Sequence, residues 1–218
     1  MKTLERVFEQ HSLDFYGDLQ DLDINYSAVK QALKGYYTLK HQGRLDNTQY
    51  LSIVDFSRPS TEERLYIIDM DNCCLYYKGY VAHGRNTGEL YANDFSNRPQ
   101  TNKSSLGFYK TAELYSGRNG LSMRLDGLEQ NFNSNARNRA IVLHGADYVS
   151  EQWITENGHL GRSRGCPAIE MSHVPKIVDR IKNGSCMFIY KDYQYYERES
   201  FYLNNMLYLR SLAMLSDL

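Results

Sequence analysis

At 218 residues the chain suits one large domain, or one domain with a helical appendage. Hydrophobic residues make up 42% and charged residues 23%, ordinary for a folded protein, and a formal net charge of -1 argues against a nucleic-acid binder driven by bulk electrostatics. No apolar stretch approaches the roughly 18 residues that span a bilayer, so no transmembrane segment is expected.

The opening MKTLERVFEQHSLDF carries acids and lacks the apolar stretch of a signal peptide. The protein is therefore expected either to be cytoplasmic or to begin after a removed export signal. Within the first forty residues Leu4, Val7, Phe8 and His11 form one helical stripe, and Tyr26, Val29, Leu33, Tyr36 and Tyr37 form another, with Gly43 as a stop. Residues 1–48 read as a helical segment packed on the main core.

From about Tyr50 the pattern turns to short strand-like runs. YLSIVDF, RLYIIDM, CCLYYKGYVA, SLGFYKTAELY, GLSMRL and RAIVLHG are rich in β-branched and aromatic residues, and turn signals such as Arg58-Pro59-Ser60 and Asp71-Asn72 separate them. Adjacent Cys73 and Cys74 would alternate faces on a strand, so one is expected to meet the core. Asn93 to Ser105 reads as a polar surface loop. A helix is expected over Ser172–Lys182 with Pro175 in its first turn, a last strand over Ser185–Tyr190, and a closing helix in YLNNMLYLRSLAML. The whole is mainly β with flanking helices, a sandwich or barrel rather than a doubly wound sheet, occupying residues 49–218.

The four cysteines, Cys73, Cys74, Cys166 and Cys186, contain no C-x-x-C pair and suggest no disulfide framework. The 19 tyrosines fit half-buried strand surface, or an aromatic groove for a sugar or peptide.

Chemistry concentrates between Ile141 and Ala168. An apolar run ends in His144-Gly145, and 22 positions past His144 a basic, glycine-flanked turn delivers Cys166. A cysteine attacks as its thiolate, so a neighbouring imidazole that takes the proton makes a usable pair. In this reading Cys166 is the nucleophile and His144 the base, with the Gly145 carbonyl orienting the ring. The Gly165 and Cys166 amides are expected to face a developing oxyanion, while Pro167 has no N–H to offer. A live site of this kind should hold Cys166 with a pKa well below that of a free thiol. The competing reading is a structural histidine and an inert buried cysteine. His83 and His159 compete for roles in the same cleft. With His144 and Cys166 they match no familiar metal spacing, so no metal is expected from the residues themselves.

The ordered set Ser104-x-Leu106-Gly107-Phe108-Tyr109, then Arg139-Ala140-Ile141-Val142-Leu143-His144-Gly145, then Ser163-x-Gly165-Cys166-Pro167-Ala168 resembles the murein L,D-transpeptidase catalytic domain family with the YkuD-type fold, in its S-x-G-C-P-A branch. The resemblance covers roughly Leu51 to Tyr190. It implies a mostly β catalytic domain, Cys166 as nucleophile, His144 as base and Gly145 as orienting carbonyl. It also implies action outside the cytoplasmic membrane, in the periplasm or cell envelope, on peptidoglycan stem tetrapeptides. The terminal D-alanine would leave and the acyl group pass to an amine, with no metal and no organic cofactor. Arg164 and Ala168 stand where the commoner S-H-G-C-x-R pattern has histidine and arginine, so carboxylate recognition would fall to Arg162 or Arg164, in a turn with Ser163. Tyr109 and Tyr148 are candidates for the donor groove or for core packing. Three readings stay open beside the transpeptidase: an L,D-carboxypeptidase with water as acceptor, a silent cell-wall binding module, and a cytoplasmic thiol enzyme on another substrate.

Overall fold

The computed structural model describes residues 2–19 and 23–215. Two helices come first, α1 (Lys2–Asp18) and α2 (Tyr26–His41). The second starts where the Asn25 side chain accepts the Ser27 N–H at 2.8 Å, satisfying one of the donors a helix start leaves free. Val29, Leu33, Tyr36 and Tyr37 are all buried, as their spacing predicts. At the middle of α2 a Cβ on Gly35 would stand 2.1 Å from the Phe108 ring, so a bare backbone is what lets the helix approach the sheet. Phe8, Val29 and Leu33 share one continuous core with Leu51, Phe108 and Phe188.

Eight strands follow: β1 (Tyr50–Asp55), β2 (Leu65–Asp69), β3 (Cys74–Gly79), β4 (Gly107–Gly117), β5 (Gly120–Gly127), β6 (Val142–Ala146), β7 (Ala168–Glu170) and β8 (Cys186–Tyr190). They form one mixed sheet in the order β3-β2-β1-β8-β4-β5-β6-β7. The pairs β1/β8 and β6/β7 are parallel and the others antiparallel. The sheet curls until its edges meet: beyond β3, Ala82 bridges Ala168 and Gly84 bridges Ser163. The result is a nearly closed barrel flanked by helices. Strand β1 meets both α2 and α4 (Val174–Ile181) and is buried along its whole length, which explains a continuous rather than alternating apolar run.

Several details differ from the sequence expectation. The stretch between Tyr148 and Arg162 holds a helix, α3 (Glu151–Asn157), capped by Ser150, whose side chain accepts the Trp153 N–H at 3.2 Å, and stopped by left-handed Gly158. Strand β7 is only three residues long and has no sequence signal of its own. Cys73 lies in a turn at φ 48° and β3 begins after it, so both Cys73 and Cys74 are exposed and neither meets the core. The expected closing helix is two short ones, α6 (Phe201–Asn204) and α7 (Leu207–Leu215), and an unexpected α5 (Gln194–Glu199) precedes them. Helix α4 keeps Pro175 in its first turn but follows a 3-10 turn at Met171–His173. Among the described residues no helix is long and apolar enough to cross a membrane.

The closeness of α2 to Phe108 is testable. Gly35→Ala should lower stability by about 1–3 kcal/mol, the usual cost of overpacking a filled core. A urea midpoint equal to that of the wild type would refute the contact.

Candidate active site

The register of β6 and β7 brings the two chemical segments together. His144 pairs with Ala168, so Cys166, two residues upstream on the parallel neighbour, comes alongside Val142. His144 and Cys166 line one open cleft of about 830 Å³. The His144 ring is only 4% exposed, and its Nδ1 lies 2.8 Å from the Gly145 carbonyl oxygen. A carbonyl only accepts, so Nδ1 carries the proton and Nε2 keeps its lone pair. Burial moves the His144 pKa below the ordinary imidazole value, and the Gly145 carbonyl opposes that shift.

The turn before Cys166 is locked from several directions. The Ser163 hydroxyl accepts the Gly165 N–H at 3.0 Å and donates to the Cys166 carbonyl at 2.6 Å. The Ser104 hydroxyl donates to the Gly165 carbonyl at 3.2 Å and accepts the Gly84 N–H at 2.9 Å. Gly165 sits at φ +122°, and a Cβ there would stand 2.8 Å from the Lys103 carbonyl oxygen. Glycine is required on both counts.

The Cys166 thiol donates to the Ala140 carbonyl at 3.6 Å, not to His144. Burial pushes the thiol pKa up; the Val142 N–H, the Arg139 guanidinium and the Cys166 N–H pull it down, and burial prevails. The expectation of a depressed thiol pKa is therefore corrected. A thiol shifted up beside an imidazole shifted down leaves both groups neutral at rest, because a buried ion pair must first overcome desolvation.

Arg139 is the residue that the motif contained but the chemical reading passed over. Its guanidinium, half-buried on the cleft wall, donates to the Ser96 carbonyl at 2.6 Å, the Ser105 hydroxyl at 2.5 Å and the Lys103 carbonyl at 2.5 Å. All three acceptors are neutral, so the charge stays uncompensated next to Cys166. The signal in the sequence was its place at the entry to the strand that ends in His144.

Of the other expected site residues, Ser163, Arg162, Arg164, Tyr148 and Gly145 line the cleft. Three do not. His83 is fully buried: its Nδ1 takes a hydrogen bond from Arg64 at 2.8 Å and its Nε2 lies 3.2 Å from the Gly88 carbonyl oxygen. Burial, with the Arg64 charge added, pushes its pKa down to about 3. Tyr109 is buried, with its hydroxyl donating to the Ser105 carbonyl at 3.0 Å, and it serves packing rather than the groove. His159 lies off the cleft, with Nδ1 2.6 Å from the Leu160 carbonyl oxygen and Nε2 3.4 Å from Glu89. Gly165 gives its N–H to Ser163, so that amide is not free for an oxyanion; the Val142 and Cys166 N–H groups are the backbone donors that lower the thiol pKa. Among the described residues no three metal-binding side chains come together.

A histidine on β6 and a cysteine in the turn that leads into its parallel neighbour β7 line one cleft of a curled sheet, the arrangement of a candidate catalytic domain. Residues 20–190 match the L,D-transpeptidase catalytic domain, and the chain belongs to that family. No curated protein matches the sequence. Similar solved structures include an L,D-transpeptidase from Mycobacterium smegmatis (10% identity, 66% of this chain and 59% of that one, TM-score 0.41). Others are L,D-transpeptidase 3 from Mycobacterium tuberculosis (8% identity, 66% and 61%, TM-score 0.42) and residues 123–326 of the Xylanimonas cellulosilytica L,D-transpeptidase (11% identity, 66% and 62%, TM-score 0.38). The chain thus spans about three fifths of the length of these structures.

Two measurements check the electrostatics. Cys166 alkylation by iodoacetamide should rise with pH to a midpoint above the ~8.5 of a free thiol, and Arg139→Met should move the midpoint higher still. A midpoint below ~8 would contradict the neutral resting pair. For His83, the unfolded chain binds a proton near ~6.5 that the folded chain refuses, so stability falls as pH drops through that range. The loss should be roughly 3 kcal/mol by pH 4. His83→Gln should flatten the acid limb of stability against pH; parallel curves would rule this out.

Proposed function

We propose that this chain is a cysteine acyltransferase acting on peptidoglycan stem tetrapeptides, an L,D-transpeptidase in activity as well as in family. The observation that carries the reading is the meeting of the Cys166 thiol and a His144 ring with its Nε2 lone pair free in one open cleft.

The chemistry follows from the neutral pair. As Cys166 Sγ attacks the carbonyl carbon of the residue before D-alanine, His144 Nε2 takes the thiol proton. The charge that develops on the carbonyl oxygen is met by the amides of Val142 and Cys166. The tetrahedral adduct collapses, His144 returns the proton to the departing D-alanine amine, and a thioester remains on Cys166. An amine acceptor then gives a proton to His144, attacks the thioester and leaves with the acyl group as a new amide. The sulfur takes its proton back. No metal or organic cofactor takes part in these steps. Arg162 and Arg164, exposed on the cleft wall, hold a carboxylate of the stem, bidentately where geometry permits. Such work belongs outside the cytoplasmic membrane, in the periplasm or cell envelope.

Water in place of the amine makes the same site an L,D-carboxypeptidase, and incubation with disaccharide tetrapeptide separates the alternatives. Intact mass and product analysis should show D-alanine release with cross-linked dimers, a thioester adduct on Cys166, and neither with Cys166→Ala. His144→Ala should lose at least about 100-fold in rate, the usual contribution of a general base. Release without dimers identifies the carboxypeptidase. No Cys166-dependent change in a folded protein overturns the enzymatic reading in favour of a cell-wall binding module.

A further inference from the structure

The cleft is electrically unlike the rest of the molecule. The chain as a whole is close to neutral, at -1. Yet five arginines line the cleft, Arg85, Arg118, Arg139, Arg162 and Arg164, against one acid, Asp147. Elsewhere Arg58, Arg124, Arg137 and Arg198 are matched with carboxylates, and arginines without one, such as Arg44, Arg98 and Arg180, are not lining residues of the cleft, so it is the gathering of five that sets the cleft apart. Among the described residues Arg85, Arg118, Arg162 and Arg164 have no carboxylate within ion-pair distance. The nearest polar contact of this group is Arg162 Nη1 to the Gly88 carbonyl at 3.4 Å. Like charges gathered without counter-ions focus a positive field into the cleft, ready for an anionic ligand.

The arginines also have an order. Arg118 and Asn119 form the two-residue turn between β4 and β5. On β5, Ser122 pairs with His144, which pairs with Ala168 on its other side. Beyond that, the segment of Ser163 is bridged to Gly84, the neighbour of Arg85. Arg118 therefore stands on one flank of the Cys166–His144 pair, and Arg85, Arg162 and Arg164 on the other.

We propose that the cleft reads two free carboxylates that straddle the scissile amide, one gripped by Arg118 and one by the Arg85–Arg162–Arg164 corner, and rejects donors in which either is an amide. The inference rests on the stem-peptide reading above, whose donor offers such a pair. The terminal D-alanine carboxylate lies on the leaving side of the bond; the resemblance implies diaminopimelate as the residue before it, and the second carboxylate of that residue lies on the acyl side. Replacing either by a carboxamide keeps the shape and removes the charge, so a guanidinium then loses its charge-assisted bonds.

The test uses disaccharide tetrapeptide in three forms: both carboxylates free, only the diaminopimelate carboxylate amidated, and only the D-alanine carboxylate amidated. Binding is measured by calorimetry on the full chain carrying Cys166→Ala, and turnover on the unmodified chain. Each single amide should weaken binding about ten- to a hundredfold. Adding Arg118→Gln should abolish discrimination against one amide and spare the other; adding Arg164→Gln should do the reverse. Both arginines are exposed, so neither change disturbs the core. Equal binding of all three forms overturns the proposal. So does a variant that loses discrimination against both amides alike. Discriminating binding without Cys166-dependent turnover sinks the enzymatic reading and leaves this one standing.

Discussion

Everything at the cleft depends on the seam where the sheet closes. Four backbone hydrogen bonds make it: Ala82 N–H to the Ala168 carbonyl at 2.8 Å, Ala168 N–H to the Ala82 carbonyl at 3.3 Å, Ser163 N–H to the His83 carbonyl at 2.9 Å and Arg85 N–H to the Ser163 carbonyl at 2.8 Å. Between Ser163 and Ala168 lies the Cys166 turn, so the thiol is carried by the seam itself. Gly84 is what lets the two segments close, since a Cβ there would stand 2.9 Å from the Gly165 Cα and 2.5 Å from the Asn102 carbonyl oxygen. A turn held by backbone on one side and by Ser104 and Ser163 on the other has little freedom to misplace its sulfur.

Beneath the seam sits a buried cation. Arg64 is fully buried, donates to the Val81 and Arg58 carbonyls and to His83, and lies over the Phe56 ring at 4.8 Å. Desolvation lowers its pKa to about 9, so it still carries its charge at neutral pH. Burial, with that charge added, keeps His83 neutral, since a protonated imidazole would turn an N–H toward the guanidinium. The histidine that looked like a cleft residue is a strut: it ties the segment bridged to Ser163 to the core of the sheet.

The cleft shows the opposite economy of charge. Burial moves its thiol pKa up and its imidazole pKa down, so both rest neutral, while Val142 N–H and Arg139 pull the thiol the other way. The remaining arginines are held at the rim by strand register and turn geometry, outside the core that supports the pair.

Much of this was legible in the chain itself. Alternation and β-branching marked seven of the eight strands, the spacing of Val29, Leu33 and Tyr36 marked α2, and the S-x-G-C-P-A segment with its upstream His-Gly marked the chemical pair. These are local patterns, and local sterics and hydrophobic periodicity suffice to express them. The strand β7, three residues long, has no periodicity to show and exists because His144 and Ala82 supply its hydrogen-bond partners. Tyr109 and His83 were indistinguishable in sequence from groove residues, since only packing decides which face of a strand meets solvent. The Cys166 environment was likewise beyond reach. Whether a thiol is raised by burial or lowered by a cation depends on Arg139, Val142 and the fold that sets them around the sulfur. The sequence by itself determined most of the elements, the family and the candidate reactive side chains; tertiary structure alone decided which histidine faces the cleft and where the uncompensated arginines gather, because those are matters of distance across the closed sheet.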